Sequence, residues 1–377
     1  MKLTIERMAL LKALGHVQSV VERRTTIPIL SNVLLSASQG QVSFSATDLD
    51  MEIADASPAQ VESPGQITAP AHTLYEIVRK LPEGADVSLS YTGDDPRLQV
   101  QAGRSRFNLP VLPAGDFPVM PSEGLSSPMS IDAGDLIRLI DKTRFAMSTE
   151  ETRYYLNGLY LHVVVEDGQA KLRAVATDGK RLALADMPAP EGFTGAPGVI
   201  IPRKTINEAR RLLDDAGESV TAAISPQKVH LGFGHAAMTS KVIDGSFPAY
   251  ESVIPTGNRR VLSLDNALFA QAVDRVATIS TDQSRAVRMA VESGRMTLTV
   301  RNIDASHAAE ELEVDYDGPP FEVSFNARYV LDVTAQIADV IEFRLSDQTA
   351  GATVHDATLV LDPTDPAVQY VLMPLRA

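Results

Sequence analysis

Apolar residues along this chain recur at two spacings. Leu10, Leu14, Val17 and Val21 fall at three- and four-residue intervals, which predicts the buried stripe of an amphipathic helix. Gln41-Val42-Ser43-Phe44-Ser45 alternates polar and apolar, which predicts a strand half buried against another layer. Helical spacing returns over Leu74 to Leu81, Thr205 to Leu213 and Tyr329 to Ile337, and Pro70 and Pro202 stand just before two of these stretches as helix-start punctuation. Further alternating runs follow each helix. The expected class is α+β, with two helices on one face of mostly antiparallel sheet in each unit.

The pattern is threefold. Ala46-Thr47-Asp48 returns as Ala176-Thr177-Asp178, and Ala114-Gly115-Asp116-Phe117-Pro118 resembles Asp244-Gly245-Ser246-Phe247-Pro248 at the same offset. A fainter third copy, Val300-Arg301-Asn302-Ile303-Asp304, parallels Ser45 to Leu49. Each copy opens alike, with Ile5-Glu6, Ile131-Asp132 and Leu264-Asp265 shortly before an amphipathic stretch. Repeats of this size match ordinary domains, and we expect domains at 1–121, 129–250 and 251–377.

Composition narrows the function. The 377 residues carry 44% hydrophobic and 22% charged side chains, as soluble proteins do. No apolar run approaches a membrane span, and the first residues lack the apolar stretch of a signal peptide. There is no cysteine, so disulfides, thiol nucleophiles and cysteine zinc sites are excluded. A cytoplasmic location is compatible with this. The net charge of -14 argues at first against nucleic acid, which is bound through Lys and Arg. The position of the 34 Lys and Arg matters more than the sum.

Those cations recur with the repeats. Lys12, Arg138 and Gln271 align, and four residues later so do His16, Lys142 and Arg275, on one helix face because i and i+4 are neighbours. The second helices add Arg79 and Lys80, then Lys204, Arg210 and Arg211, then Arg328. Any one such pair reads as a solvated helix face. Recurrence at aligned positions favours a surface that attracts phosphate without reading base sequence.

Enzymatic motifs are missing. Asp48, Asp178 and Asp304 recur in turn contexts and read as aspartates bonding their own backbone, since no clustered His or Glu supplies a metal shell. The 7 histidines include no His-Glu-x-x-His, and there is no phosphate-binding Gly-rich Lys loop or Gly-x-Ser-x-Gly. We expect no metal, no cofactor and no catalysis.

Several segments, in order along the whole chain, resemble one family. They are Gly103-Arg104-Ser105-Arg106-Phe107, Arg153-Tyr154-Tyr155-Leu156-Asn157-Gly158, Ala176-Thr177-Asp178-Gly179-Lys180-Arg181-Leu182, Phe247-Pro248 and Tyr370-Val371-Leu372-Met373-Pro374-Leu375-Arg376. Together they are similar to the beta subunits of bacterial DNA polymerase III, the DNA sliding clamps. The resemblance implies three processivity-fold domains per chain and a head-to-tail homodimeric ring with helices inside and antiparallel sheets outside. It implies that double-stranded DNA is encircled without sequence specificity, with Arg24, Tyr154 and Tyr155 among the residues touching it. The recurring cations Arg79, Arg138, Lys142, Lys204 and Arg275 would then face DNA too. A groove for partner peptides is implied at Leu156, Thr177, Gly179, Arg181, Leu182, Pro248, Val253, Val371, Leu372, Met373, Pro374, Leu375 and Arg376. Implied partners are the replicative polymerase subunit, a clamp loader, and other polymerases and repair proteins carrying clamp-binding peptides, with no role for a membrane. Ser252 departs from the pattern, which often has a basic residue there. The ring interface is implied at Arg104, Arg106 and Phe107 on one side. Thr278 and Ile279 form the other, with Asp304, Glu310, Glu311 and Glu313 as acidic partners. The family carries bulkier apolar residues at the Thr278 position. Two other readings stay open: a monomeric repeat scaffold that binds peptides without encircling DNA and, more remotely, a hydrolase with unrecognised carboxylates.

Overall fold

The fold, taken from a computed structural model, is described for residues 1–93, 95–121, 124–280, 285–302, 305–347 and 353–375. The chain forms two compact units. The first comprises 1–137, 190–197 and 204–242, and the second 138–189, 198–203 and 243–377. The middle repeat is thus divided between them.

Six helices punctuate the chain among the described residues: α1 (Arg7–Gln18), α2 (Ala71–Lys80), α3 (Ala133–Thr143), α4 (Arg203–Leu213), α5 (Asn266–Ala277) and α6 (Ala327–Thr334). The acidic residue that opens each repeat has a physical role. Glu6 accepts a hydrogen bond from the Ala9 amide (2.8 Å), Asp132 from the Asp135 amide (2.9 Å) and Asp265 from the Leu268 amide (2.8 Å). Each satisfies an amide that the first turn leaves without an intrahelical partner. The expected second helices are present as α2, α4 and α6, starting a few residues earlier than the periodicity suggests, with Pro70 as the N-cap of α2.

The first unit contains two antiparallel sheets. One has five strands in the spatial order Gln60–Ser63, Lys2–Glu6, Asp86–Ser90, Arg97–Ala102, Ser105–Pro110. The other has eight and crosses from the middle repeat into the first. Met129–Asp132, Ser219–Ile224, Lys228–Phe233 and Ala236–Lys241 continue through Met51–Pro58 into Gln41–Thr47, Asn32–Ser38 and Gly65–Pro70. Helix α1 packs on Met51–Pro58 and Gln41–Thr47, burying Leu10, Leu14 and Val17 as the stripe predicts.

The second unit repeats the device. Val199–Pro202, Gly158–Glu166, Gln169–Thr177 and Arg181–Pro188 continue through Val368–Leu372 into Thr358–Leu361, Val340–Leu345 and Arg260–Asp265. A four-stranded sheet, His307–Glu313, Arg295–Arg301, Ala286–Glu292, Phe321–Asn326, completes it. Helices α5 and α6 pack on each other, and Phe269, Phe325 and Phe343 form a buried aromatic cluster with centroid separations of 5.5 and 6.2 Å about Phe343.

The recurring aspartates behave as turn residues. Asp48 Oδ1 accepts from the amides of Asp50 and Met51, and Asp178 Oδ1 from those of Lys180 and Arg181. Thr47 and Thr177 donate their hydroxyls to the carbonyls of Met51 and Arg181. The left-handed position in each turn is Leu49 (φ 79°) or Gly179 (φ 84°). Asp304, the third copy, lies outside the described residues.

Among the described glycines of the second unit, Gly158 has the closest backbone neighbour: an added Cβ would stand 2.4 Å from the Ile201 carbonyl oxygen. Gly158→Ala should lower stability by about 1–3 kcal/mol, read as a lower urea midpoint. An unchanged midpoint would show that the pairing of Gly158–Glu166 with Val199–Pro202 adjusts freely.

Candidate functional site

The second unit holds a cleft of about 250 Å³ on one face of its eight-stranded sheet. Its floor follows from strand pairing. Leu182 lies opposite Val371, and Val371 opposite Leu359, so three apolar side chains lie side by side across the sheet. Val175, Leu184 and Tyr250 complete a buried cluster with them. The short helical turns Glu151–Leu156 and Tyr250–Val253 bring Leu156, Tyr155 and Val253 to the walls, with Pro248 beside them. Val253 and Met373 remain 49% and 42% exposed, so large apolar groups stand at the mouth in contact with water.

Of the residues assigned to a peptide groove, Leu156, Thr177, Gly179, Arg181, Leu182, Pro248, Val253, Val371 and Met373 line this cleft. Leu372 does not. It follows Val371 in a strand, so its side chain points to the opposite face, where it is 1% exposed. Pro374 and Leu375 also lie off the lining, and the Leu375 amide donates to the Ser324 carbonyl. Arg376 is outside the described residues.

Arg181 takes part differently from what its place in the motif suggests. It borders the cleft, but its neighbour Leu182 forms the floor, so strand alternation carries the guanidinium toward the other face. There it is bonded to Asp178 (3.1 Å), Asp332 of α6 (2.6 Å) and the Phe145 carbonyl (2.6 Å), and lies 4.4 Å from the Tyr329 ring centroid. It is a positioning residue that holds the 177–182 turn.

Four lining residues went unassigned to the groove: Arg153, Lys180, Ala249 and Tyr250. Tyr155, expected at DNA, also lines it. The signal was present in part, because Arg153-Tyr154-Tyr155 belongs to a recognisable segment. The positive φ of Gly179 favours glycine, and an added Cβ would also stand 2.4 Å from Arg153 Nη1. Behind the floor, the Tyr250 hydroxyl is 3.0 Å from His162 Nε2 and 3.4 Å from Arg173, which Asp186 grips through two 2.7 Å bonds. Burial pushes Tyr250 up to about 12. Burial, with the Arg173 charge, pushes His162 down to about 4. Both stay neutral near pH 7, as a desolvated support requires.

The recurring cations are largely engaged. Arg138 reaches Asp365 (2.5 Å) and the Asp186 carbonyl, and Lys142 the Gln336 carbonyl. Lys204 bonds Asp48 (2.6 Å) and Glu22 (2.5 Å). Arg79 pairs with Glu76 and Arg275 with Glu310. Arg138, Lys142 and Lys204 therefore contact a neighbouring repeat within their own unit. His16 corrects the expectation of a solvated basic pair: it is 6% exposed and bonded to two carboxylates. Arg24 and Tyr154 are exposed.

Arg104, Arg106 and Phe107 sit on or beside Ser105–Pro110, the edge of the five-stranded sheet, and Glu310 and Glu311 on His307–Glu313, the edge of the four-stranded one. Thr278 caps α5, and the Ile279 carbonyl accepts from Asn302. Asp304 is again outside the described residues.

Models for the N-terminal, central and C-terminal domains of the DNA polymerase III beta subunit match residues 1–121, 130–249 and 251–376. The chain is 71% identical to the beta sliding clamp of Caulobacter vibrioides over 377 residues, covering all of both chains, and 40% identical to that of Pseudomonas aeruginosa over 378, again covering both. It superposes on a C. crescentus beta sliding clamp crystal structure with a TM-score of 0.96 at 71% identity, over 100% of this chain and 99% of that one. A Bartonella birtlesii sliding clamp solved with griselimycin gives 0.95 at 44% identity over all of both. Three clamp domains of helices and antiparallel sheet, covering the chain from end to end, place this protein in one class. The chain belongs to the DNA polymerase III beta subunit family, the beta sliding clamps.

Because the Arg181 carboxylate partners sit on different elements, Asp332→Asn should loosen the 177–182 turn by about 1–2 kcal/mol. Faster amide exchange confined to that turn is the expected readout. Unaltered exchange would show that Asp178 and Phe145 suffice.

Proposed function

We propose that this chain is a processivity scaffold that encircles duplex DNA as a head-to-tail homodimer and itself performs no catalysis. End-to-end identity with beta sliding clamps, across three domain models, carries the reading. The two sheet edges fit it. One carries Arg104 and Arg106, the other Glu310, Glu311 and Glu313. A heterologous contact between such edges extends a sheet from one protomer into the next and closes when the rotation closes. Encirclement replaces affinity by linkage, so ion-paired cations and a net charge of -14 are compatible with holding DNA. The reading sets the chain in the cytoplasm, with the bacterial chromosome.

The cleft is our candidate for the partner-peptide site. A buried Val371–Leu182 floor under exposed Met373 and Val253 suits one or two apolar anchors of an extended peptide. Met is adaptable enough to accept different ones. Arg153 and Lys180 at the wall suit an acidic or polar neighbour. The polymerase, the clamp loader and repair proteins would compete for this groove and gain a high local concentration at the template.

Two experiments test these assignments. Loaded on nicked circular DNA, the protein should resist high salt and be released on linearisation; salt-labile binding indifferent to DNA ends would exclude encirclement. Val253→Ala with Met373→Ala should weaken a polymerase-derived clamp-binding peptide about tenfold or more, since each lost methylene contact costs about 0.8 kcal/mol. The mass of the dimer should not change. Equal peptide affinity would move the site elsewhere.

A further inference from the structure

His16 lies in α1 at the seam where the first and middle repeats share a sheet. Its Nδ1 is 2.7 Å from Asp55 Oδ2 and its Nε2 is 2.8 Å from Asp215 Oδ2. Asp55 is on Met51–Pro58, paired with Ala236 across the seam. Asp215 follows α4 of the middle repeat. The imidazole therefore ties two repeats together.

A neutral imidazole has one N–H and can serve only one of these carboxylates. The other nitrogen would then aim a lone pair at an oxygen lone pair. The missing hydrogen could in principle sit on a carboxyl oxygen, but a carboxyl is a far stronger acid than imidazolium, and the second oxygen of each carboxylate meets a donor of its own. Asp55 Oδ1 accepts from the Ala56 amide at 2.7 Å, and Asp215 Oδ1 faces Lys12 Nζ at 3.0 Å. The hydrogen belongs on the ring.

We propose that His16 is a buried imidazolium that fastens the first repeat to the middle one, and that this seam loosens as the proton leaves. The other groups around it are accounted for. Arg211 of α4 donates to the His16 carbonyl and pairs with Glu208, while Asp214 pairs with Arg210. On its own helix Lys12 pairs with Asp215 at 3.0 Å. Burial alone would lower the pKa of His16, but the bonds to Asp55 and Asp215 outweigh it and raise it. A raised folded value gives stability that is fully present below the ordinary histidine value, and lost as pH rises through the folded one.

The test uses the full-length dimer labelled with 15N-histidine. The His16 ring should lose its second proton at a higher pH than an unstructured histidine peptide titrated alongside, and His16→Gln should remove its resonance. Melting temperature supplies the second readout. The wild type should exceed His16→Gln by about 2–4 °C at low pH, and the gap should close as pH rises through the His16 titration. Asp215→Asn, which keeps the ring, should move that titration to lower pH and so keeps the test usable if His16→Gln folds poorly. A His16 ring that titrates at or below the pH of the unstructured peptide, or a melting gap independent of pH, would overturn the proposal.

Discussion

Five backbone pairs, from Arg181 opposite Leu372 to Ala185 opposite Val368, decide what the second unit can do. They join the middle repeat to the last and also set the register that places Leu182 beside Val371. A slip of the Arg181–Pro188 strand by one residue would turn Leu182 away from the cleft and leave Val371 without its apolar neighbour, because side chains alternate strictly between faces. The floor would lose its continuous apolar row. The groove is thus a consequence of the seam, and its floor is as rigid as the sheet that carries it, which is what a site for apolar anchors needs.

The same constraint governs charge. Cations that recur on the helices turn mostly to carboxylates and carbonyls of the adjoining repeat, as Lys204 does to Glu22 and Asp48 and Arg138 to Asp365. A cation with a protein counterion releases fewer ions when it meets phosphate, so it adds little to salt-dependent affinity. Such a surface is poor at gripping DNA and good at permitting motion along it. On the proposed reading, exposed groups such as Arg24 are left for the direct encounter. An acidic chain that works on DNA is no contradiction if topology supplies the retention.

Local chemistry was legible in the sequence, and orientation across the sheet was not. The openings of the repeats were visible because one physical need, capping a helix after a short strand, recurs three times with Glu6, Asp132 and Asp265. The turn aspartates were visible for the same reason. Leu372 was misjudged because a motif is a run of neighbours, whereas a strand sends neighbours to opposite faces. His16 was misjudged because helical position says which face it shares with Lys12 but not that Asp55 and Asp215 wait there. Tyr250 has no local signal beyond its distance from Phe247-Pro248. Its role comes from Arg173 and His162, on two strands distant in sequence.

Both seams carry a buried cation between acids, His16 between Asp55 and Asp215 in the first unit and Arg181 between Asp178 and Asp332 in the second. Hydrophobic side chains of equal volume would bury as well, and desolvating charge is costly, so such contacts are weak sources of net stability. Their value is in discrimination. A repeat protein risks pairing the wrong strands, since its units present similar apolar faces. A misregistered seam would leave a guanidinium or an imidazolium buried without its carboxylates, at a cost of several kcal/mol per ion. Apolar pairing supplies the attraction that brings repeats together, and the buried charges make one register far better than its neighbours. Through that register they also determine which residues reach the groove.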